Sequence, residues 1–177
     1  MTAHEWDVRR IETLDGSLLS GLVDVLIDCV AGGASVSFMH PLTRERAEAF
    51  WGRAAEGVRT GACALFVAED SSGVCGTVQL HLEQPENQPH RADVAKMLVH
   101  RRARRQGLGG ALMRAVELSA RQHGKTLLVL DTATGGDADR LYRRLGWAPV
   151  GDIPGYALHP QGDLCGTTIF YRDLRER

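Results

Sequence analysis

The chain has 177 residues, 44% hydrophobic and 24% charged, which is enough to bury one core without disulfide or metal support. Its formal net charge of −1 excludes a global field that would draw it onto nucleic acid or an anionic membrane. The start, Met1-Thr2-Ala3-His4-Glu5-Trp6-Asp7, has no charged-then-apolar signal pattern, and Asp24 and Asp28 interrupt the longest apolar run well short of a membrane span.

Residues 8–11 read as a short first strand. From Leu18 the apolar residues Leu18, Leu19, Leu22, Val23, Leu26 and Val30 recur at helical spacing, and Gly32-Gly33 stops the helix. Ala47, Phe50, Trp51, Ala54, Ala55 and Val58 form a second helical stripe. Residues 63–69 and 74–82 read as strands joined through Asp70-Ser71-Ser72-Gly73, a loop that suits a hairpin. Residues 84–89 are a polar surface loop, and residues 92–99 the next strand.

Leu108, Ala111, Leu112, Ala115 and Val116 line one face of a further helix, with Glu117 and Arg121 as an i,i+4 pair opposite and Gly124 placed to end it. Residues 126–131 are a near-continuous apolar strand, as expected in a sheet covered on both faces. Ala138, Leu141, Tyr142 and Leu145 mark a short helix that Gly146 ends, and residues 147–153 and 167–172 supply the last strands. The order β-α-α-β-β-β-α-β-α-β-β predicts an α/β fold, a mixed sheet of about seven strands with about four helices, as a single domain over residues 1–177.

Cys29, Cys63, Cys75 and Cys165 have no C-x-x-C spacing, and the histidines never fall at metal-ligand spacing, so neither a disulfide framework nor a metal is expected. A cytoplasmic protein is the default expectation.

The stretch that carries chemistry is Met97-Leu98-Val99 followed by Arg104-Arg105-Gln106-Gly107-Leu108-Gly109-Gly110: a strand, a glycine-containing turn and a helix start. A helix N-terminus leaves backbone N–H groups without internal partners and carries partial positive charge, and glycines let that backbone approach a bulky anion. The spacing fails the dinucleotide fingerprint, and no G-K-[ST] follows for a P-loop. Taken alone, the glycines mark a phosphate cradle or simply a glycine-rich turn.

The segment Arg104-Arg105-Gln106-Gly107-Leu108-Gly109 matches the Q/R-x-x-G-x-G/A signature of the GNAT (GCN5-related) N-acetyltransferases. Ala138-Asp139-Arg140-Leu141-Tyr142-Arg143-Arg144-Leu145-Gly146-Trp147 matches the family's later helix, A-x-x-L-Y-x-x-x-G-[FW]. The chain therefore resembles that family over essentially its whole length. It departs where many members have Pro and Gly, here Arg101 and Arg105. Gly32 to Met39, Arg91-Ala92-Asp93-Val94, Leu130-Asp131-Thr132 and Ile153-Pro154-Gly155-Tyr156-Ala157 also resemble the tabtoxin-resistance type of GNAT enzyme, which acetylates a β-lactam amino acid.

The resemblance implies acetyl-CoA as cosubstrate, with its pyrophosphate on the backbone of residues 104–110 and its pantetheine paired with the main chain of Met97, Leu98 and Val99. The arginine side chains would add charge at the rim, while Arg101 and Arg102 either bind phosphate or are solvated. Tyr142 sits at the general-acid position, beside the departing thiolate. A protonated amine cannot attack a thioester, so a carboxylate base is needed. Asp93 and Asp131 are the candidates, one at the family's usual strand position and one ending the following strand. Gly33, Ser35 and Phe38, with Gly32 and Met39, are expected to form a substrate-side loop faced by Tyr156. His81, His90, His123 and Cys75 have no supporting context.

The expected reaction is direct attack by a small primary amine in a ternary complex, the oxyanion meeting backbone N–H near Val99. The acceptor class spans amino acids and toxin or antibiotic molecules such as tabtoxinine-β-lactam, which would make resistance the role. A protein or peptide N-terminus is the alternative acceptor, and a non-catalytic acyl-CoA-binding sensor the alternative class. A monomer or homodimer is expected, without nucleic-acid or membrane partners.

Overall fold

The computed structural model describes residues 6–175; the reading of the first five positions lies outside them. The elements are β1 (Asp7–Ile11), α1 (Gly16–Ala31), α2 (Arg44–Thr60), β2 (Cys63–Asp70), β3 (Gly73–His81), β4 (Arg91–Val99), a 3-10 turn (Arg101–Ala103), α3 (Leu108–Gln122), β5 (Leu127–Ala133), α4 (Asp137–Arg144), β6 (Ala148–Leu158) and β7 (Leu164–Asp173). This is the order expected from periodicity. The seven strands form one sheet ordered β1-β2-β3-β4-β5-β7-β6, parallel only between β4 and β5.

Local chemistry sets the helix ends. The Asp15 carboxylate accepts the Leu18 N–H at 2.8 Å and starts α1, and Thr43 caps α2 from its side-chain oxygen. Gly61, at φ +78°, ends α2 in the left-handed conformation. The helices then divide between the two faces of the sheet. Leu22, Leu26 and Trp51 pack with Leu65, Val67 and Leu98 on one face; Leu108, Leu112 and Val116 pack with Phe66, Val78, Leu80 and Leu128 on the other. Burying two such layers is the main stabilising term of the fold.

Three expectations need correction. β5 is not covered on both faces: Leu128 and Leu130 are buried against α3 and α4, while Val129 is only half-buried and Asp131 exposed. Arg121 donates to the Glu117 carbonyl at 3.4 Å, and the Glu117 carboxylate accepts the Trp147 indole N–H at 3.1 Å instead. The last hairpin is longer than its pattern suggests, because Pro154 and Gly155 fall at a register irregularity within β6 and interrupt the apolar alternation without ending the strand. Among the described residues no helix is long and apolar enough to cross a membrane.

Candidate active site

β4 and β5 pair only at Arg91↔Leu127, Ala92↔Leu128 and Asp93↔Val129. Beyond that point β4 continues along β3 to Val99, and β5 continues along β7 to Ala133. The two central strands thus splay, leaving main-chain groups of residues 94–99 and 130–133 facing a wedge-shaped gap. His100 donates its N–H to the Cys75 carbonyl on β3 at 2.9 Å. By the alternation of an antiparallel ladder, the Val99 N–H then faces the opposite edge, into the gap.

A one-residue bulge shapes the β4 wall. Thr77 opposes Leu98 and Gln79 opposes Ala95, so Val78 alone faces both Lys96 and Met97. Lys96 adopts φ +50° there. Ahead of the bulge Ala92 and Val94 point to the α3 layer; after it, Leu98 joins the α1 layer and Met97 and Val99 turn toward α3.

The turn into α3 lies at the same end. Gly107 is its N-cap at φ +83° with no side-chain cap, and Arg105 holds φ +60°. That pairing of left-handed residues with an uncapped helix start leaves backbone N–H groups turned outward, as an anion cradle requires. The position where many family members have Gly is therefore one whose backbone favours Gly, and Arg105 holds that geometry at a cost of about 1–2 kcal/mol. A Cβ on Gly109 would stand 2.8 Å from Leu141 Cδ2 and 3.7 Å from Met97 Sδ, so this glycine brings α3, α4 and β4 together.

The arginines divide. Arg104 turns inward, donating from Nε to the Val99 carbonyl at 3.0 Å. Arg101 pairs with Asp28 at 2.7 Å and Arg102 with Asp70 at 2.9 Å, which fixes the 3-10 turn to α1 and to the β2–β3 hairpin. Neither is merely solvated. Arg105 and Gln106 stay exposed at the rim.

The titratable groups fall on both sides of the sheet. Tyr142, 5% exposed, packs at a tilt against Trp147 and Phe170 with ring centroids at 6.0 and 5.8 Å. Burial first, and the charge of Asp131 second, push its hydroxyl pKa above the usual tyrosine range. Asp139, buried at the start of α4, accepts the Gly135 N–H at 2.7 Å and Arg143 Nε at 2.5 Å, which sets the helix that presents Tyr142. The two candidate bases differ. Asp93 is paired with Arg91, and its other oxygen accepts from Gln84 at 3.1 Å. Asp131 is exposed and accepts only the Thr167 hydroxyl at 2.9 Å, with no ion pair among the described residues.

The α1–α2 loop covers the face that carries Asp131. Ser35 donates to the Leu158 carbonyl at 3.1 Å and His40 N–H to the Pro160 carbonyl at 3.0 Å, so the loop is joined to the β6–β7 hairpin. Gly33 stands at φ +89°, Phe38 packs edge-on against Phe50 at 5.4 Å, and Tyr156 is exposed on β6.

Sequence reasoning missed Lys96, which reaches this loop: its Nζ lies 3.4 Å from Ser37 Oγ and 5.7 Å from the Phe50 ring centroid. A signal was present, since the polar residues of β4 fall at 91, 93 and 96, a change from odd to even positions that a regular strand does not give. His81 also sits on this face, opposite Asp93, with Nε2 3.1 Å from Gln79 Oε1. Burial lowers its pKa against the pull of Asp93. Among the described residues no His/Cys/Asp/Glu group has the makings of a metal site.

The acetyltransferase (GNAT) domain family matches residues 61–149, from just before β2 to the start of β6. Among solved structures, an N-acetyltransferase from Staphylococcus aureus Mu50 aligns with a TM-score of 0.79 at 16% identity, over 97% of this chain and 100% of that one. YncA from Salmonella typhimurium, solved with its cofactor acetyl-CoA, gives 0.78 at 18% identity over 98% and 96%. A GCN5-related N-acetyltransferase from Kribbella flavida gives 0.77 at 23% identity over 96% and 98%. At these identities the likeness is one of fold.

Proposed function

The chain belongs to the GNAT family of acetyltransferases, and on that footing we propose that it moves the acetyl group of acetyl-CoA onto the primary amine of a small molecule, by direct attack in a ternary complex. The cosubstrate supplies the activated thioester; the protein supplies position, a base and a donor for the leaving group. The gap between β4 and β5 fits a long, narrow thioester arm, and the uncapped start of α3 beyond Gly107 fits its pyrophosphate. The Val99 N–H, turned toward that gap, is the donor we assign to the thioester oxygen as negative charge develops on it.

Asp131 is the favoured base. Among the described residues no cation holds it, whereas both Asp93 oxygens are engaged. The incoming ammonium gives its proton to Asp131 or to a water held there. Tyr142, on α4 at the other face of the sheet, serves as donor to the sulfur. Asp93, with Arg91 and Gln84, acts as a positioning group at the point where the strands part.

The observation that carries a small acceptor is the joined loop. Ser35 and His40 tie the α1–α2 loop to the β6–β7 hairpin on the acceptor side, and this supports a small acceptor over a long peptide. Amino acids and toxin or antibiotic molecules of the tabtoxinine-β-lactam type fall inside this class. Toxin self-protection in the cytoplasm is the physiological reading that goes with it.

The test is thiol release from acetyl-CoA across a panel of small amines, amino acids, β-lactam amino acids and peptides. Release with small amines supports the proposal. Release with peptides alone transfers the assignment to peptide N-termini. Acetyl-CoA binding without release from any acceptor makes the protein a sensor.

A further inference from the structure

Among the described residues, three that are not glycine adopt left-handed backbone conformations: Ser37 at φ +74°, Lys96 at +50° and Arg105 at +60°. Arg105 belongs to the turn before α3. The other two come from elements far apart in sequence and touch each other, Lys96 Nζ to Ser37 Oγ at 3.4 Å. Strained backbone persists where the surrounding structure holds a side chain in a required place. Here the side chain so held is an ammonium.

That ammonium has donors to spare. Ser37 takes one N–H, and the face of Phe50 lies 5.7 Å away. No carboxylate comes within ion-pair distance of Lys96 among the described residues, although Asp93 and Asp131 both lie on this face of the sheet. Lys96 is half-buried, and this partial loss of water lowers its pKa, with Asp131 offsetting part of that effect. The gap thus presents a cation on the β4 wall and a carboxylate on the β5 wall, near enough to feel each other and too far apart to pair. An edge-on aromatic pair, Phe38 and Phe50, lies beside the cation.

We propose that Lys96 is the specificity-determining residue of the acceptor site, and that the acceptor is an amino-carboxylate zwitterion whose carboxylate pairs with Lys96 while its ammonium faces Asp131. This rests on the acyl-transfer reading above and narrows it. One ligand with a negative and a positive end satisfies both unpaired groups. A simple amine satisfies Asp131 alone and leaves its own charge facing a like charge, so the site selects against it as well as for the zwitterion.

The experiment compares L-amino acids with their decarboxylated amines, on wild type, Lys96→Met and Lys96→Arg. Ligand-observed NMR with CoA present reads binding, and thiol release reads turnover. Wild type should bind amino acids and prefer them by at least about tenfold in kcat/KM. Lys96→Met should erase the preference by raising KM for the amino acids and lowering it for the amines, and Lys96→Arg should keep much of it. Equal use of amines and amino acids by wild type, or equal losses on both in Lys96→Met, overturns the assignment. So does an absence of amino-acid binding. Lys96-dependent binding without thiol release sinks the acyl-transfer reading and leaves the site standing; thiol release from amines alone does the reverse.

Discussion

Replacing Tyr142 by Phe removes one oxygen and little else. The ring keeps its contacts with Trp147 and Phe170, and the position is almost fully buried, so stability should change by less than about 1 kcal/mol. The catalytic effect follows from acidity. A free thiol has a pKa near 8.5, whereas burial and the Asp131 charge make this hydroxyl a weaker acid than ordinary tyrosine. Tyr142 therefore keeps its proton and stabilises the leaving thiolate as a hydrogen-bond donor. A hydrogen bond to a charged group is worth about 1.5–3 kcal/mol, which corresponds to a loss of roughly 10- to 150-fold in kcat for Tyr142→Phe. The acetyl-CoA Kd from calorimetry should stay within about twofold, because the interaction forms only as charge builds on sulfur. Because its pKa is raised, Tyr142 should contribute no alkaline fall in the pH–rate profile below about pH 10. A kcat within about threefold of wild type, or an alkaline limb in that range that disappears in Tyr142→Phe, refutes the reasoning.

Asp131→Asn should lower kcat/KM by about 10²–10⁴-fold and flatten the limb on which activity rises as the base loses its proton, while Asp93→Asn should retain that limb; steady-state pH profiles decide between them. Arg105→Gly should be more stable than Arg105→Ala by about 1 kcal/mol in urea unfolding, since both remove the charge and only glycine relieves the φ of +60°. Asp139→Asn should cost about 1–2 kcal/mol, read as a fall in Tm at neutral pH. Burial raises the Asp139 pKa, but the hydrogen bonds from Arg143 and Gly135 outweigh it and the net shift is downward. Its contribution is thus complete above about pH 4, the unfolded value, and is lost as the pH falls through the lower native value. The Tm difference between wild type and Asp139→Asn should narrow below about pH 4, and an unchanged difference there removes Asp139 from the acid response.

The fold was legible because each long helix buries one face and its period says which. Leu18, Leu22 and Leu26 could only be a helix stripe, and the strand–turn–helix at Val99 to Leu108 declared itself through glycines that the geometry does require. What sequence could not reach is pairing at a distance. Arg101 and Arg102 look like a solvated basic run until Asp28 and Asp70, 73 and 32 positions earlier, come against them. Glu117 likewise has a helical neighbour of the right charge, yet its carboxylate meets Trp147 and, at 3.7 Å, Arg172 of β7.

The same limit explains why the acceptor site was only half legible. Tyr142 stands in a motif, and Asp93 and Asp131 are acidic residues within otherwise largely apolar strand segments, so residue type and place suggest them. Lys96 stands in neither, and which face of the sheet it joins depends on a single extra residue in β4. A one-residue slip reverses every side chain beyond it. Without the bulge Leu98 would fall with Ala92 and Val94 on the α3 side, and Met97 and Val99 would fall on the α1 side. The bulge turns Leu98 into the α1 core and leaves Lys96 at the point where the phase changes. There the left-handed backbone brings its ammonium against Ser37 and Phe50, opposite the carboxylate of Asp131. The irregularity that spoils the strand pattern is thus the feature that puts opposite charges on the two walls of the gap.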